Sequence, residues 1–195
     1  MNLSQLEAVG PRQDNGMDNR MMKAYALAAD QNGQLQQAAA CYEAVLLSNP
    51  EDLESTVNLL VLYWRIGEPA RSLTGPLPLE FRSHAARRLP ELLDSAAHRF
   101  ATAAQIHFWR TYIAAARRGE SLARATCRQL LNEHPDYLEP AFVVFSESKG
   151  TEAEVEAMRL LADYSEHSTA RGRYVTSVIT AALRKQRLWS CVAAV

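Results

Sequence analysis

Apolar residues recur along the chain at steps of four and then three, the spacing that keeps side chains on one face of a helix. Ala38, Tyr42 and Val45 form one such set, and Leu89, Leu93 and Ala96 a second. Ala123, Cys127 and Leu130 form a third, and Ala157, Leu161 and Tyr164 a fourth. The last three sets lie 34 residues apart. The first lies 51 before the second, one period of 34 plus 17. Gly33 and Gly67 are themselves 34 apart, so the extra residues fall after Gly67, in "GEPARSLTGPLPLEF". A period of this size predicts stacked helix pairs, each burying a face that it could not cover alone.

Turn chemistry adds the boundaries. Gly33 and Gly119 precede the first and third sets, as glycines that close a helix do. Pro50 and Pro135 follow them and mark a hand-over between helices, with Asn49 before Pro50 as the expected N-cap. In "KGTEAE", Gly150 is expected to end a helix and Thr151 with Glu154 to form a capping box. Small residues such as Ala38 and Ala123 are expected at close helix contacts. Near the C-terminus, Val175, Val178, Ile179, Ala182 and Trp189 form a stripe that suits a terminal helix covering the last pair.

Ala26, Gly33, Ala38, Tyr42 and Pro50 in the first unit, and Asn58, Leu59, Tyr63 and Gly67 in the second, resemble the tetratricopeptide repeat family over roughly residues 19–169. Later units are degenerate, and "FWRTYIAAARRG" is similar to the half-a-TPR variant. The resemblance implies an all-α chain, a right-handed α-solenoid of about four TPR-like helix pairs plus a C-terminal capping helix. Residues 1–18 form an N-terminal segment, 19–169 the repeat domain with an insertion near 68–84, and 170–195 the cap.

Composition agrees with that class: 195 residues, 48% hydrophobic and 22% charged, fit one helical domain. No apolar run reaches the roughly 20 residues a membrane helix needs, and the polar N-terminus leads us to expect a cytoplasmic protein. The three cysteines, Cys41, Cys127 and Cys191, fall on apolar faces and read as buried thiols. Net charge alternates along the chain, −4 over residues 1–78, +4 over 79–135, −6 over 136–167 and +5 over 168–195. Attraction between neighbouring layers explains this pattern. A basic band drawn from Arg82, Arg87, Arg88, Arg110, Arg117, Arg118, Arg124 and Arg128, offered to an acidic peptide or to RNA, is the functional alternative. With a net charge of −1 and no aromatic interleaving, nucleic acid is the weaker partner.

Catalytic motifs are missing from the sequence. The five histidines stand singly, no C-x-x-C or H-E-x-x-H occurs, and neither a phosphate-binding glycine loop nor a nucleophile elbow is present. No enzyme activity, metal or cofactor is therefore expected. The resemblance implies instead a protein–protein adaptor or chaperone-like module that takes a peptide or partner helix in a concave groove. Its lining would come from Lys23, Leu27, Asn58, Val61, Trp64, Arg65, Trp109, Ile113 and Arg117. Lys23 and Asn58 match two positions of the clamp by which part of the family grips a C-terminal carboxylate, but Leu27 replaces an amide that would donate to it. An apolar groove with a basic rim is the expected form. The alternatives are an RNA-associated HAT-like module and an accessory subunit of an enzyme complex. A homodimer through the C-terminal helix is also open.

Overall fold

A computed structural model describes residues 15–67, 77–166 and 168–192, with side chains over 19–67, 77–165 and 168–186. Expectations for residues 1–14, for 68–76 and for the side chains of Arg187, Trp189 and Cys191 lie outside the described residues. Among those described, all regular structure is helical. The helices are α1 (Asn15–Gln31), α2 (Leu35–Ser48), α3 (Leu53–Gly67), α4 (Leu79–Arg99), α5 (Ala104–Arg117), α6 (Arg124–Glu133), α7 (Pro140–Glu147), α8 (Glu154–Glu166) and α9 (Ala170–Val192).

The four apolar sets fall in α2, α4 and α8 and across the start of α6. Ala38, Tyr42, Val45, Leu89, Ala96, Cys127, Leu130 and Ala157 are all buried. Gly33 and Gly119 both adopt φ +72, a left-handed conformation open to glycine at no steric cost. After each, the next N–H reaches back five residues, Gln34 to Ala29 and Glu120 to Ala115, so the last carbonyls of α1 and α5 are closed by the same motif.

Three local expectations are corrected. Ala123 is exposed, because α6 begins one residue later and Leu122 supplies the buried contact instead. Pro50 and Pro135 do mark hand-overs, but each is the second residue of a turn closed by Asp52 N–H to Asn49 O and Tyr137 N–H to His134 O. Proline's fixed φ suits that position. Asp52 rather than Asn49 then caps α3, its Oδ1 accepting the Ser55 N–H at 2.8 Å. The Thr151–Glu154 box does not form: Thr151 Oγ1 donates to Ser148 O, and Ala153 at φ +53 leads into α8.

The region expected to be inserted is partly helix, since residues 79–84 are the opening turns of α4, which at 21 residues tolerates Pro90 on an exposed side. Each helix from α1 to α9 packs on the next. Beyond that sequential packing, α3 meets α5 and α9, and α7 meets α9. The C-terminal helix thus returns to α3, near the start of the chain.

Candidate functional site

The residues expected to line an open groove fall in α1, α3 and α5, and α9 lies against α3 and α5, with α7 beside them. Tyr174, on the second turn of α9, is 5% exposed and stands edge-on to Trp64, with ring centroids 4.9 Å apart at 84°. It meets Phe142 of α7 at 6.0 Å and 88°, and Tyr112 of α5 at 6.0 Å. The Arg65 guanidinium sits 4.8 Å from the Tyr174 centroid. Edge-to-face rings bring positive edges onto negative faces, and a cation over the ring adds to the same field. The hydroxyls of Tyr174 and Tyr112 are hydrogen-bonded to each other.

Two buried carboxylates hold the start of α9 in register. Asp30, fully buried in the last turn of α1, accepts the Ala170 N–H at 2.7 Å, the Arg173 guanidinium at 3.1 Å and the Tyr42 hydroxyl at 3.3 Å. Burial pushes its carboxyl above the ordinary value, against these three donors. Thr169 Oγ1 accepts the Gly172 N–H, so α9 is capped both by its own hydroxyl and by a carboxylate from the far end of the chain. Glu139, 3% exposed, accepts Trp109 Nε1–H at 2.8 Å, the Tyr137 hydroxyl at 2.7 Å and the Tyr164 hydroxyl, with Arg171 Nε 3.4 Å away. Burial, with the carboxylate beside them, pushes both tyrosine hydroxyls well above their ordinary value, so they stay protonated as donors. At the other end of α9, Gln186 Nε2 donates to Gly150 O at 3.1 Å.

These arrangements place the expected groove residues as follows. Asn58, Val61, Trp64, Arg65, Trp109 and Ile113 are all buried at 5% exposure or less, and Trp64, Arg65 and Trp109 come together around Tyr174. Trp64, Arg65 and Trp109 form part of the bed of α9 rather than an open lining, and Asn58, Val61 and Ile113 are buried as well. Lys23 is half-buried and ion-paired to Asp52 at 3.0 Å and Glu54 at 2.8 Å, so its charge is engaged within the chain. Leu27 packs against the core, and Arg117 stands apart, exposed at the end of α5. On α9, Val175, Ile179 and Ala182 are buried and Val178 is half-buried, as the stripe predicts, so the apolar face offered to a homodimer is already used inside the chain.

Asp30, Glu139, Arg171 and Arg173 went unmarked at the sequence level, yet a signal exists. An acid in the last turn of α1 and two arginines in the first turn of α9 sit at the unfavourable ends of their helix dipoles, which implies fixed partners of opposite charge. Half of the basic band is neutralised: Arg88 meets Glu43 and Glu91, Arg118 meets Glu120, and Arg124 and Arg128 share Glu152, whereas Arg82 and Arg87 are exposed on α4. Arg110 and Arg117 have no acidic partner among the described residues. They lie on one exposed face of α5 with His107 and Ala114.

Cys127 is buried, with its thiol pushed up to about 12 by burial, and Cys41 is half-buried. Among the described residues no group of three or more His, Cys, Asp or Glu is placed to hold a metal ion, and no helix is long and apolar enough to cross a membrane. Comparison with known proteins returns no match to any family model, curated protein or solved structure.

Proposed function

We propose that this chain is a TPR-like helical-repeat adaptor, a right-handed solenoid of about four helix pairs capped by α9, that binds an acidic segment of another protein and performs no chemistry of its own. The repeat reading is supported by the matching closures at Gly33 and Gly119 and by the buried sets on the second helix of successive pairs. Absence of catalysis is supported by the commitment of Asp30, Glu139 and their tyrosines to fixed internal partners.

One observation carries the partner chemistry: Arg110 and Arg117 share one exposed face of α5 and are unneutralised among the described residues, while Arg88, Arg118, Arg124 and Arg128 meet carboxylates. Guanidinium groups displayed along one helix face suit carboxylates presented by an extended or helical segment. With the inner face filled by α9, this outer ridge is where the basic rim expected from the sequence survives.

A photo-reactive residue in place of Ala114, which lies between the two arginines, tests the proposal in the cells that make the protein. An adduct with an Asp- or Glu-rich protein segment, lost in the double variant Arg110→Glu and Arg117→Glu, is the expected result. An adduct with RNA, or a protein adduct indifferent to charge reversal, contradicts it.

A further inference from the structure

A cavity of about 420 Å³ opens between the start of α3, the start of α5, the turn before α7, the second half of α8 and the start of α9. Leu53, Val57, Leu138 and Leu160 give it an apolar floor. Arg171 also lines it, with a side chain only 16% exposed. The Arg171 Nε lies 3.4 Å from Glu139 Oε1 without forming a hydrogen bond, and the terminal nitrogens donate to no described residue. Glu139 is meanwhile engaged by Trp109 Nε1–H and by the Tyr137 and Tyr164 hydroxyls. A guanidinium so far withdrawn from water, with its planar fork of donors unfilled, is costly unless a further acceptor meets it. Gln105, half-buried in the same lining, also has an amide without a partner among the described residues.

Groups of the opposite charge line the same cavity. Asp136 and Asp163 are exposed and carry no ion pair among the described residues, whereas Glu54, the third acid of the rim, is held by Lys23 at 2.8 Å. Besides its burial and Glu139, the Tyr164 hydroxyl feels Arg171 and Asp163 with opposite sign, so these two charges bear on one small volume. An anion alone would satisfy Arg171 but meet the field of Asp136, Asp163 and Glu139. A cation alone would satisfy the acids and leave the guanidinium unpaired. We infer that the cavity binds a small zwitterion, an aliphatic α-amino acid, with its carboxylate on Arg171, its ammonium facing Asp163 and Asp136, and its side chain on Leu53, Val57 and Leu160. The planar fork of a guanidinium matches a carboxylate in two parallel hydrogen bonds. The volume falls within the roughly 300–1,000 Å³ of small-molecule sites, in which a few placed polar groups stand over an apolar lining. The cavity touches α5 at Gln105 and not at Arg110 or Arg117, so this binding stands or falls independently of the acidic partner.

Isothermal titration of the full chain with L-leucine, L-isoleucine and L-valine, each up to about 10 mM, reads the binding directly. The expected result is saturable one-to-one binding of at least one of them. Analogues of the tightest binder that lack the ammonium or the carboxylate, which for L-leucine are isocaproate and isopentylamine, should each bind roughly tenfold or more weakly, the loss of one charge-assisted contact. Asp163→Asn removes an exposed charge, so circular dichroism and melting should match the parent. It should weaken the amino acid by a similar factor and leave the analogue without the ammonium no weaker. Arg171→Lys keeps a cation beside Glu139 but loses the fork, and should weaken the two carboxylate-bearing probes while sparing the amine. No binding by any of the three amino acids overturns the inference. So does either analogue binding as tightly as the amino acid, which would make this an anion or a cation site, or an affinity indifferent to both variants, which would place the binding elsewhere.

Discussion

Replacing Tyr174 by alanine tests whether α9 is part of the core. The ring is 5% exposed and lies edge-on between Trp64 and Phe142, under the guanidinium of Arg65. Truncating a large buried aromatic to alanine costs about 3–5 kcal/mol, the lost transfer energy plus that of the cavity left behind. Ring–ring contacts of roughly 0.5–1.5 kcal/mol and a cation–ring contact of similar size are contained largely within that range and are not added to it. In a domain of this length, about 2–4 °C accompanies each kcal/mol, so the melting temperature should fall by roughly 6–20 °C. Tyr174→Phe keeps the ring and loses the hydroxyl's hydrogen bond with Tyr112, at about 0.5–1.5 kcal/mol. Urea titration followed by tryptophan fluorescence reads both variants, and native-state emission should shift to the red in Tyr174→Ala as Trp64 and Trp109 lose their cover. A loss below about 1 kcal/mol with unshifted emission would refute the packing of α9 on this face.

Asp30→Asn should cost about 2–4 kcal/mol by leaving Arg173 without its counter-charge, whereas charge reversal at the exposed Arg184 and Lys185 should stay within about 0.5 kcal/mol; chemical denaturation compares them. Ala38→Leu should overpack the α1–α2 contact by about 1–3 kcal/mol, while Ala123→Leu, at an exposed position before α6, should be near neutral by the same assay. The Lys23–Asp52–Glu54 cluster predicts a pH profile. Burial opposes the charge on Asp52, but the Ser55 N–H and Lys23 outweigh it and hold the carboxyl below its ordinary 3.8, so its contribution is present above that value and lost as pH falls through the lowered one. Burial likewise opposes the charge on Lys23, and Glu54 and Asp52 raise its pKa above 10.5, so its contribution is present below that value and lost as pH rises through the raised one. Lys23→Met should flatten both flanks of stability against pH; unchanged flanks would contradict the pairing.

Local features were legible where one residue type has one physical use. Glycine at a left-handed helix end marked Gly33 and Gly119, and the four–three spacing marked the buried sides of α2 and α4. Ala123 misled because spacing identifies a face and not the residue at which the helix begins, and Leu122 took up the contact from an extended stretch. Pro50 misled similarly, since proline fits the second position of a turn as well as a helix start, and Asp52 two residues later was free to cap. The groove residues expose a deeper limit. Trp64, Trp109 and Ile113 form stripes that must be covered, and a stripe does not say whether a partner or the same chain covers it. That answer depended on charges at unfavourable helix ends, Asp30 at the end of α1 and Arg171 and Arg173 at the start of α9, and the Asp30–Arg173 pair forms only in a fold that joins residues 143 positions apart.

Hydrogen–deuterium exchange of the full chain, resolved for α9 over residues 170–186 and for α3 over residues 53–66, asks most directly whether the C-terminal helix occupies the inner face. If it does, both segments belong to one cooperative unit, exchange slowly together, and accelerate together in Tyr174→Ala. Rapid exchange of α9 beside an α3 that stays protected would contradict this, leaving Trp64, Trp109 and Ile113 on an open groove available to a partner.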